Sequence, residues 1–222
     1  GIHGLNHTKA TPLPAPIAIG STWNTELVRE AGEIVGKEAR VLGYTNVYAP
    51  ILDVVRDPRW GRTLECYGED PYLIGELGVQ MVDGIQSQGV AATLKHFAVY
   101  SSPKGGRDGN CRTDPHVTPR ELHEIYLYPF KHPMGVMSSY NDWNGEPVTS
   151  SYYFLTKLLR EEYGFDGYVV SDSQAVEFVH TKHQVAEDYD EAVRQVLEAG
   201  LNVRTHFTPP ADFILPIRRL LA

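Results

Sequence analysis

The sequence predicts an α/β fold around a parallel sheet, a (β/α)8 barrel of the TIM type that is incomplete in this chain. Three observations predict it. Short β-rich runs alternate strictly with amphipathic helical stretches, the pattern of parallel strands joined by helical crossovers. The strand runs are continuously apolar, as in the Val-Met around Val136 and the Tyr-Val-Val of 168–170, which suits a sheet covered on both faces. Polar residues gather where the strands end, and a barrel carries its chemistry at that rim.

The elements follow in order. A first helix is expected over 24–42, with Asn24 as its cap, Glu26 and Glu30 near its positive end, and Gly43 as its stop. Residues 47–55 read as a buried strand. Pro71, after Asp70, suits the first position of a helix running to about residue 88. A strand is expected over 90–97, a helix over 119–131 and a strand over 135–140. A helix over 150–163 ends at Gly164, and a strand covers 168–171. A helix over 188–199 ends at Gly200, a last strand covers 201–207, and a last helix covers 212–221.

The rim is then read strand by strand. The first strand run leads into Arg56-Asp57-Pro58-Arg59-Trp60-Gly61-Arg62, and the next ends in Lys95-His96. The others end in Ser138-Ser139-Tyr140-Asn141 and Ser171-Asp172-Ser173, and the last carries Arg204 and His206. No GxGxxG fingerprint follows a strand, which favours a barrel over a doubly wound nucleotide-binding sheet. A full barrel takes roughly 250 residues. Five strands are clear in these 222 residues and the first is expected to be missing, so residues 1–222 read as one incomplete barrel domain.

The formal charge of −8, from 28 acidic and 20 basic residues, argues against nucleic acid as a partner. The apolar runs are too short to span a bilayer, so no membrane partner is expected. Cys66 and Cys111 form neither a CxxC pair nor a metal-spaced cluster and read as free thiols. His180 and His183 lie three apart without an HExxH frame, so no metal and no cofactor are called for. The chain starts at Gly1 without a methionine, so a targeting peptide upstream is allowed. A periplasmic or secreted location and a homodimer are both compatible with the sequence, which fixes neither.

Four segments then carry a specific resemblance. They are DPRWGRTLECYGEDP (57–71), KHFAVYS (95–101), GVMSSYNDWNGEPVTSS (135–151) and REEYGFDGYVVSDS (160–173). In this order they closely resemble glycoside hydrolase family 3, across nearly the whole chain. The resemblance implies a retaining, exo-acting β-glycosidase of the β-glucosidase or β-xylosidase type, acting on an oligosaccharide or aryl glycoside. Asp172 is then the nucleophile, a carboxylate fixed at a strand end against the anomeric carbon. As a bare sequence feature, Asp172 would read as a helix cap. Arg62, Lys95 and His96 are implied to hold sugar hydroxyls, with Tyr140 lining the same pocket. A salt bridge to Glu65 or Glu69 is the plainer reading of Arg62, and core packing the plainer one of Trp60 and Trp143. Adjacent strand residues face opposite sides, so Lys95 and His96 share a ligand only where the strand bends. The family often has a non-proline cis peptide near this point. Gly105-Gly106-Arg107-Asp108 forms a loop in which Arg107 is a weaker candidate.

The sequence departs from the family pattern in three places. The aspartate that usually holds the outer hydroxyls would precede Gly1. The link Pro129-Phe130-Lys131-His132-Pro133 is shorter than the usual helix, and Ser173 stands where many members have tryptophan. The His-containing acid–base loop of the N-acetylglucosaminidase branch is absent. In most members a following α/β sandwich domain supplies the general acid/base. Glu65, Glu69, Asp57 and Glu177 are poor substitutes here and Asp108 is only the least poor, so the chain is expected to lack a general acid/base of its own. Two rival readings are a Lys95 Schiff-base lyase or aldolase and a sugar-binding barrel fragment without turnover.

Overall fold

The computed structural model describes residues 3–101, 114–130 and 134–222. The expectations placed on the start of the chain, on Arg107 and Asp108, on Cys111 and on the 131–133 junction lie outside those residues.

A short helix α1 (Pro16–Gly20) precedes α2 (Thr25–Val41). The Asn24 side chain accepts from the Leu27 N–H at 3.0 Å, satisfying a donor that the first turn leaves open. Gly43 stops the helix with a φ of +83°. After β1 (Asn46–Val47) comes α3 (Pro71–Ser87), capped by Asp70 on the Leu73 N–H at 2.8 Å. Asp70→Ala is expected to cost about 1 kcal/mol, read as a lower midpoint in urea with an unchanged slope. Helices α2 and α3 touch backbone to backbone. A Cβ on Gly84 would sit 2.4 Å from the Arg29 carbonyl oxygen, and one on Gly32 would sit 2.7 Å from that of Met81.

The sheet continues with β2 (Ala91–Phe97). A helical turn α4 (Pro119–Glu121) follows, capped by Thr118 and Glu121 reciprocally, and runs into a π-helical turn over Leu122–Tyr126. Next come β3 (Gly135–Ser138), a small hairpin of β4 (Asp142–Trp143) and β5 (Glu146–Pro147), and a π-helix over Tyr153–Glu162. Then come β6 (Tyr168–Ser171), α5 (Ala175–Thr181), α6 (Tyr189–Ala199) and α7 (Ala211–Leu220). Asp188 caps α6 and Gly200 ends it at a φ of +113°.

Strands β1, β2, β3 and β6 pair in parallel in that order. Each crossover therefore moves the sheet one place in the same sense, as in a barrel wall, with no reversal of order. Val203 adds a fifth place through its bridge to Val170. The first and last places approach each other, with Tyr48 Oη 3.4 Å from Thr205 Oγ1. The described residues form an incomplete α/β barrel, as the sequence predicts. Leu52, Leu94, Phe97, Val136 and Val169 fill its core, while Val55, Trp60, Cys66, Tyr100, Tyr140 and Ala175 form a second cluster.

Five expectations need correction. The strand over 47–55 shrinks to β1, because Pro50 has no N–H for the ladder. Pairing resumes only as the Ile51 bridge to Lys95. The strand over 201–207 is reduced to the Val203 bridge, because the Thr205 N–H turns to the Ser171 hydroxyl at 3.0 Å. The helix over 119–131 ends its regular winding at Tyr126, and the strand over 135–140 ends at Ser138. The helix over 150–163 is real but wound with i→i+5 bonds, such as Tyr163 N–H to the Leu158 oxygen at 3.0 Å. An apolar stripe does not distinguish that winding from an α-helix. Helix α1 has no counterpart in the sequence expectations.

Candidate active site

The C-terminal ends of the parallel strands bring the predicted residues together. Asp172 follows β6, His96 and Lys95 lie near the end of β2, and Tyr140 follows β3. Arg62 comes from the loop after β1, at the start of the single turn Thr63–Glu65. The pairing of β2 with β3 shifts register between Leu94 and Phe97, and the Lys95–His96 and Phe97–Ala98 peptides are cis. The bend expected at Lys95-His96 is therefore present.

His96 is the hub, with no exposed surface. Its Nε2 lies 2.9 Å from Arg62 Nη1 and 3.3 Å from Asp172 Oδ2. Its Nδ1 lies 2.7 Å from Asp53 Oδ2. A guanidinium only donates, so Nε2 accepts from Arg62 and the ring proton sits on Nδ1, facing Asp53. The 3.3 Å contact to Asp172 then joins two acceptors and is no hydrogen bond. In keeping with this, Asp172 Oδ2 has no hydrogen-bond partner among the described residues. The other oxygen, Oδ1, accepts from the Ser173 N–H at 2.7 Å. One oxygen of Asp172 is thus anchored and the other left bare.

The plainer reading of Arg62, a salt bridge to Glu65, is what the structure shows. Arg62 Nε and Nη2 hold Glu65 Oε1 and Oε2 at 2.7 and 2.9 Å, a bidentate ion pair, while Nη1 reaches His96. Burial works against the Arg62 charge, but the Glu65 pair outweighs it and holds the guanidinium above its ordinary value. Arg59 pairs with Asp57 rather than with Glu65 or Glu69, and Asp57 also accepts from the Arg59 N–H as a turn residue. Burial, and then the Arg62 charge, hold the Lys95 ammonium below its usual range.

Tyr140 Oη donates to the Ser173 oxygen at 2.8 Å, so it supports the segment after Asp172. Tyr100 stands edge-on to His96, with centroids 4.8 Å apart, and edge-on to Trp60 at 5.4 Å. Trp60 is buried in that cluster, and Trp143 stacks on Tyr153 at 5.8 Å. Both tryptophans pack within the protein. An apolar cavity lined by Leu13, Val47, Tyr67, Met81 and Ile85 touches Lys95 and Glu65, but Asp172 is not part of its wall.

Sequence reasoning passed over Asp53 and Tyr100. The signal for Asp53 was present: a single acidic residue inside the apolar run Ile51-Leu52-Asp53-Val54-Val55. Burial pushes its carboxyl up to about 7, against the Arg62 charge and the His96 N–H, which pull it down. Glu177 is committed to Arg204, whose Nε donates to it at 2.8 Å, and also accepts from Tyr189.

Comparison with known proteins identifies the family. A beta-xylosidase of Formosa agariphila is 37% identical over 222 residues, covering 91% of this chain and 30% of the relative. A periplasmic beta-glucosidase of Salmonella typhimurium is 36% identical, covering 89% of this chain and 27% of its own length. The crystal structure of a beta-glucosidase from Listeria innocua in complex with isofagomine superposes with a TM-score of 0.89 at 34% identity. That match covers all of this chain and 31% of that one. The chain therefore spans about 30% of the length of the curated relatives it matches. The model of the glycosyl hydrolase family 3 N-terminal domain matches residues 1–218, and the chain belongs to that family.

Proposed function

We propose that this domain carries the sugar-binding and nucleophile half of a retaining, exo-acting β-glycosidase of the glucosidase or xylosidase type. The observation that carries this is the bare Oδ2 of Asp172, set at the barrel rim beside His96 and Arg62. In the first step an Oδ2 lone pair bonds to the anomeric carbon while the bond to the leaving oxygen breaks. That oxygen departs with the bonding electrons and needs a proton. In the second step water bonds to the anomeric carbon, the bond to Asp172 breaks to restore the carboxylate, and the surplus proton of the water passes to a general base or to solvent. Arg62, Lys95 and His96 orient the sugar hydroxyls, and Tyr140 steadies the Ser173 turn. Relatives named as glycosidases do not support the alternative of a Schiff-base lyase on Lys95.

Four of the described rim carboxyls are engaged elsewhere and offer the leaving group no evident proton donor. Asp53 holds His96, Glu65 holds Arg62, Asp57 holds Arg59 and Glu177 holds Arg204. The 222-residue chain is therefore expected to cleave dinitrophenyl glycosides, whose leaving groups need little protonation, far better than cellobiose or xylobiose. A panel of aryl glycosides and the two disaccharides measures this. Disaccharide hydrolysis at a rate matching the dinitrophenyl substrates would sink the idea of a missing acid. A fluorosugar trap followed by peptide mapping tests the nucleophile directly, and label on any residue other than Asp172 refutes it.

A further inference from the structure

We propose that Asp53 is a positioning residue of this site: by holding His96 through both its ring and its backbone, it makes His96 present a bare Nε2 to Arg62 and keeps that ring from hydrogen-bonding the Asp172 oxygen that must attack. This rests on the reading of Asp172 as nucleophile given above.

Asp53 is 3% exposed and lies where the first strand region ends, beside β2. A single oxygen, Oδ2, takes both the His96 N–H at 3.2 Å and Nδ1 at 2.7 Å. That leaves His96 little choice. Its Nδ1 faces a carboxylate, which accepts, and its Nε2 faces Arg62, which donates. Only the tautomer with its proton on Nδ1 satisfies both neighbours. The opposite tautomer, or a doubly protonated ring, would point an N–H from Nε2. It would repel the Arg62 donor and reach Asp172 Oδ2, 3.3 Å away. A hydrogen bond there would occupy the lone pairs needed for attack and disorder the guanidinium that binds the sugar. Imidazoles that ligate metals are set in the same way, by a carboxylate on the far nitrogen.

The surroundings agree with a role beyond packing. Burying a carboxylate in an apolar strand end is costly, and an apolar residue would fill the space without that cost. The charged and titratable groups facing Asp53 come from every neighbouring element: Arg62 and Cys66 from the loop after β1, Lys95 and His96 from β2, Tyr100 just beyond it, and Asp172 from the end of β6. Arg62 and Lys95 supply the positive charge that keeps Asp53 an acceptor. Asp53 thereby ties three sugar-site residues into one array.

Two measurements on the 222-residue chain test this. The first is nitrogen-15 NMR of histidine-labelled protein at pH 8, which reads the tautomer without any substitution. His96 is expected to show a protonated Nδ1 and an unprotonated Nε2, and a protonated Nε2 overturns the proposal. The second is the rate at which 2-deoxy-2-fluoroglucosyl fluoride and its xylosyl counterpart label Asp172, followed by intact mass. Asp53→Leu is expected to label about 10- to 100-fold more slowly and to populate the Nε2–H tautomer, the scale seen when an outer partner of a bound imidazole is lost. Asp53→Asn, which keeps an acceptor oxygen, should recover part of the rate and the wild-type tautomer. Leucine and wild-type rates within twofold of each other, with one tautomer, refute the proposal. Absence of label in the wild type refutes the nucleophile reading instead, and the tautomer then decides Asp53 alone. If Asp53→Leu does not fold, the wild-type spectrum and Asp53→Asn decide it.

Discussion

Asp172→Ala is expected to lower turnover of an activated aryl glycoside by on the order of 10^4-fold or more, the scale on which loss of a covalent nucleophile acts. The fold should hardly notice. Asp172 is 9% exposed, its Oδ1 makes one bond to the neighbouring Ser173 N–H, and its Oδ2 makes none. The alanine variant therefore loses chemistry while keeping the barrel, so its unfolding midpoint should stay near that of the wild type. Azide, small enough to enter the space of the lost carboxylate, should restore part of the rate and release a glycosyl azide of inverted configuration. An alanine variant that keeps more than about a tenth of the activity would rule Asp172 out as nucleophile. An aryl substrate is the right probe, because its departure depends least on the proton donor.

Arg62→Met is expected to strike both stability and activity. Arg62 is buried, and its side chain divides between a bidentate pair with Glu65 and a bond to His96 Nε2. Removing one partner of such a pair leaves the other charge uncompensated, at a cost of about 3–5 kcal/mol. Activity should fall about 10- to 100-fold in kcat/KM, corresponding to the ~1.5–3 kcal/mol of a charge-assisted hydrogen bond. The pH dependence carries a sign. Asp53 is raised to about 7 by burial, and the Arg62 charge is the strongest influence lowering it. Without Arg62 the folded-state value rises further. A raised carboxyl contributes stability at low pH that is lost as pH climbs through the folded value. Below pH 7 Asp53 is protonated in both folded proteins and adds no difference between them. Above pH 7 only the variant still holds that proton, so the stability deficit of Arg62→Met should widen as pH rises through 7. Urea titrations at pH 5.5 and 8.5 measure this. A deficit that shrinks at the higher pH would contradict the placement of Arg62 as the counter-charge of Asp53.

Much of the fold was legible in the residues. Caps announced helices at Asn24, Asp70 and Asp188, and Gly43 and Gly200 closed two of them, because those signals are local hydrogen bonds and local backbone conformations. Strands were legible only where the ladder is backbone on both sides. The run from Val47 broke at Pro50, and the run from Leu201 gave way when the Ser171 hydroxyl took the Thr205 N–H. No sequence period records which distant group will claim a backbone donor. The π-winding of Tyr153–Glu162 was equally hidden, since an apolar stripe looks alike at either pitch.

The site divides along the same line. The sequence by itself offered the candidate site residues and their places at strand ends, Asp172, Arg62, Lys95, His96 and Tyr140, and the structure gathers them at the barrel rim. Those follow from motifs whose members lie close in the chain. Only the tertiary structure decided what each atom does. It set Asp53, 43 residues from His96 in sequence, against Nδ1. It placed Arg62 against Nε2 across 34 residues, and it left one oxygen of Asp172 without a hydrogen-bond partner among the described residues. The protonation pattern of a buried ring depends on which donors and acceptors surround it in space, and those around His96 come from the ends of two other strands, β1 and β6.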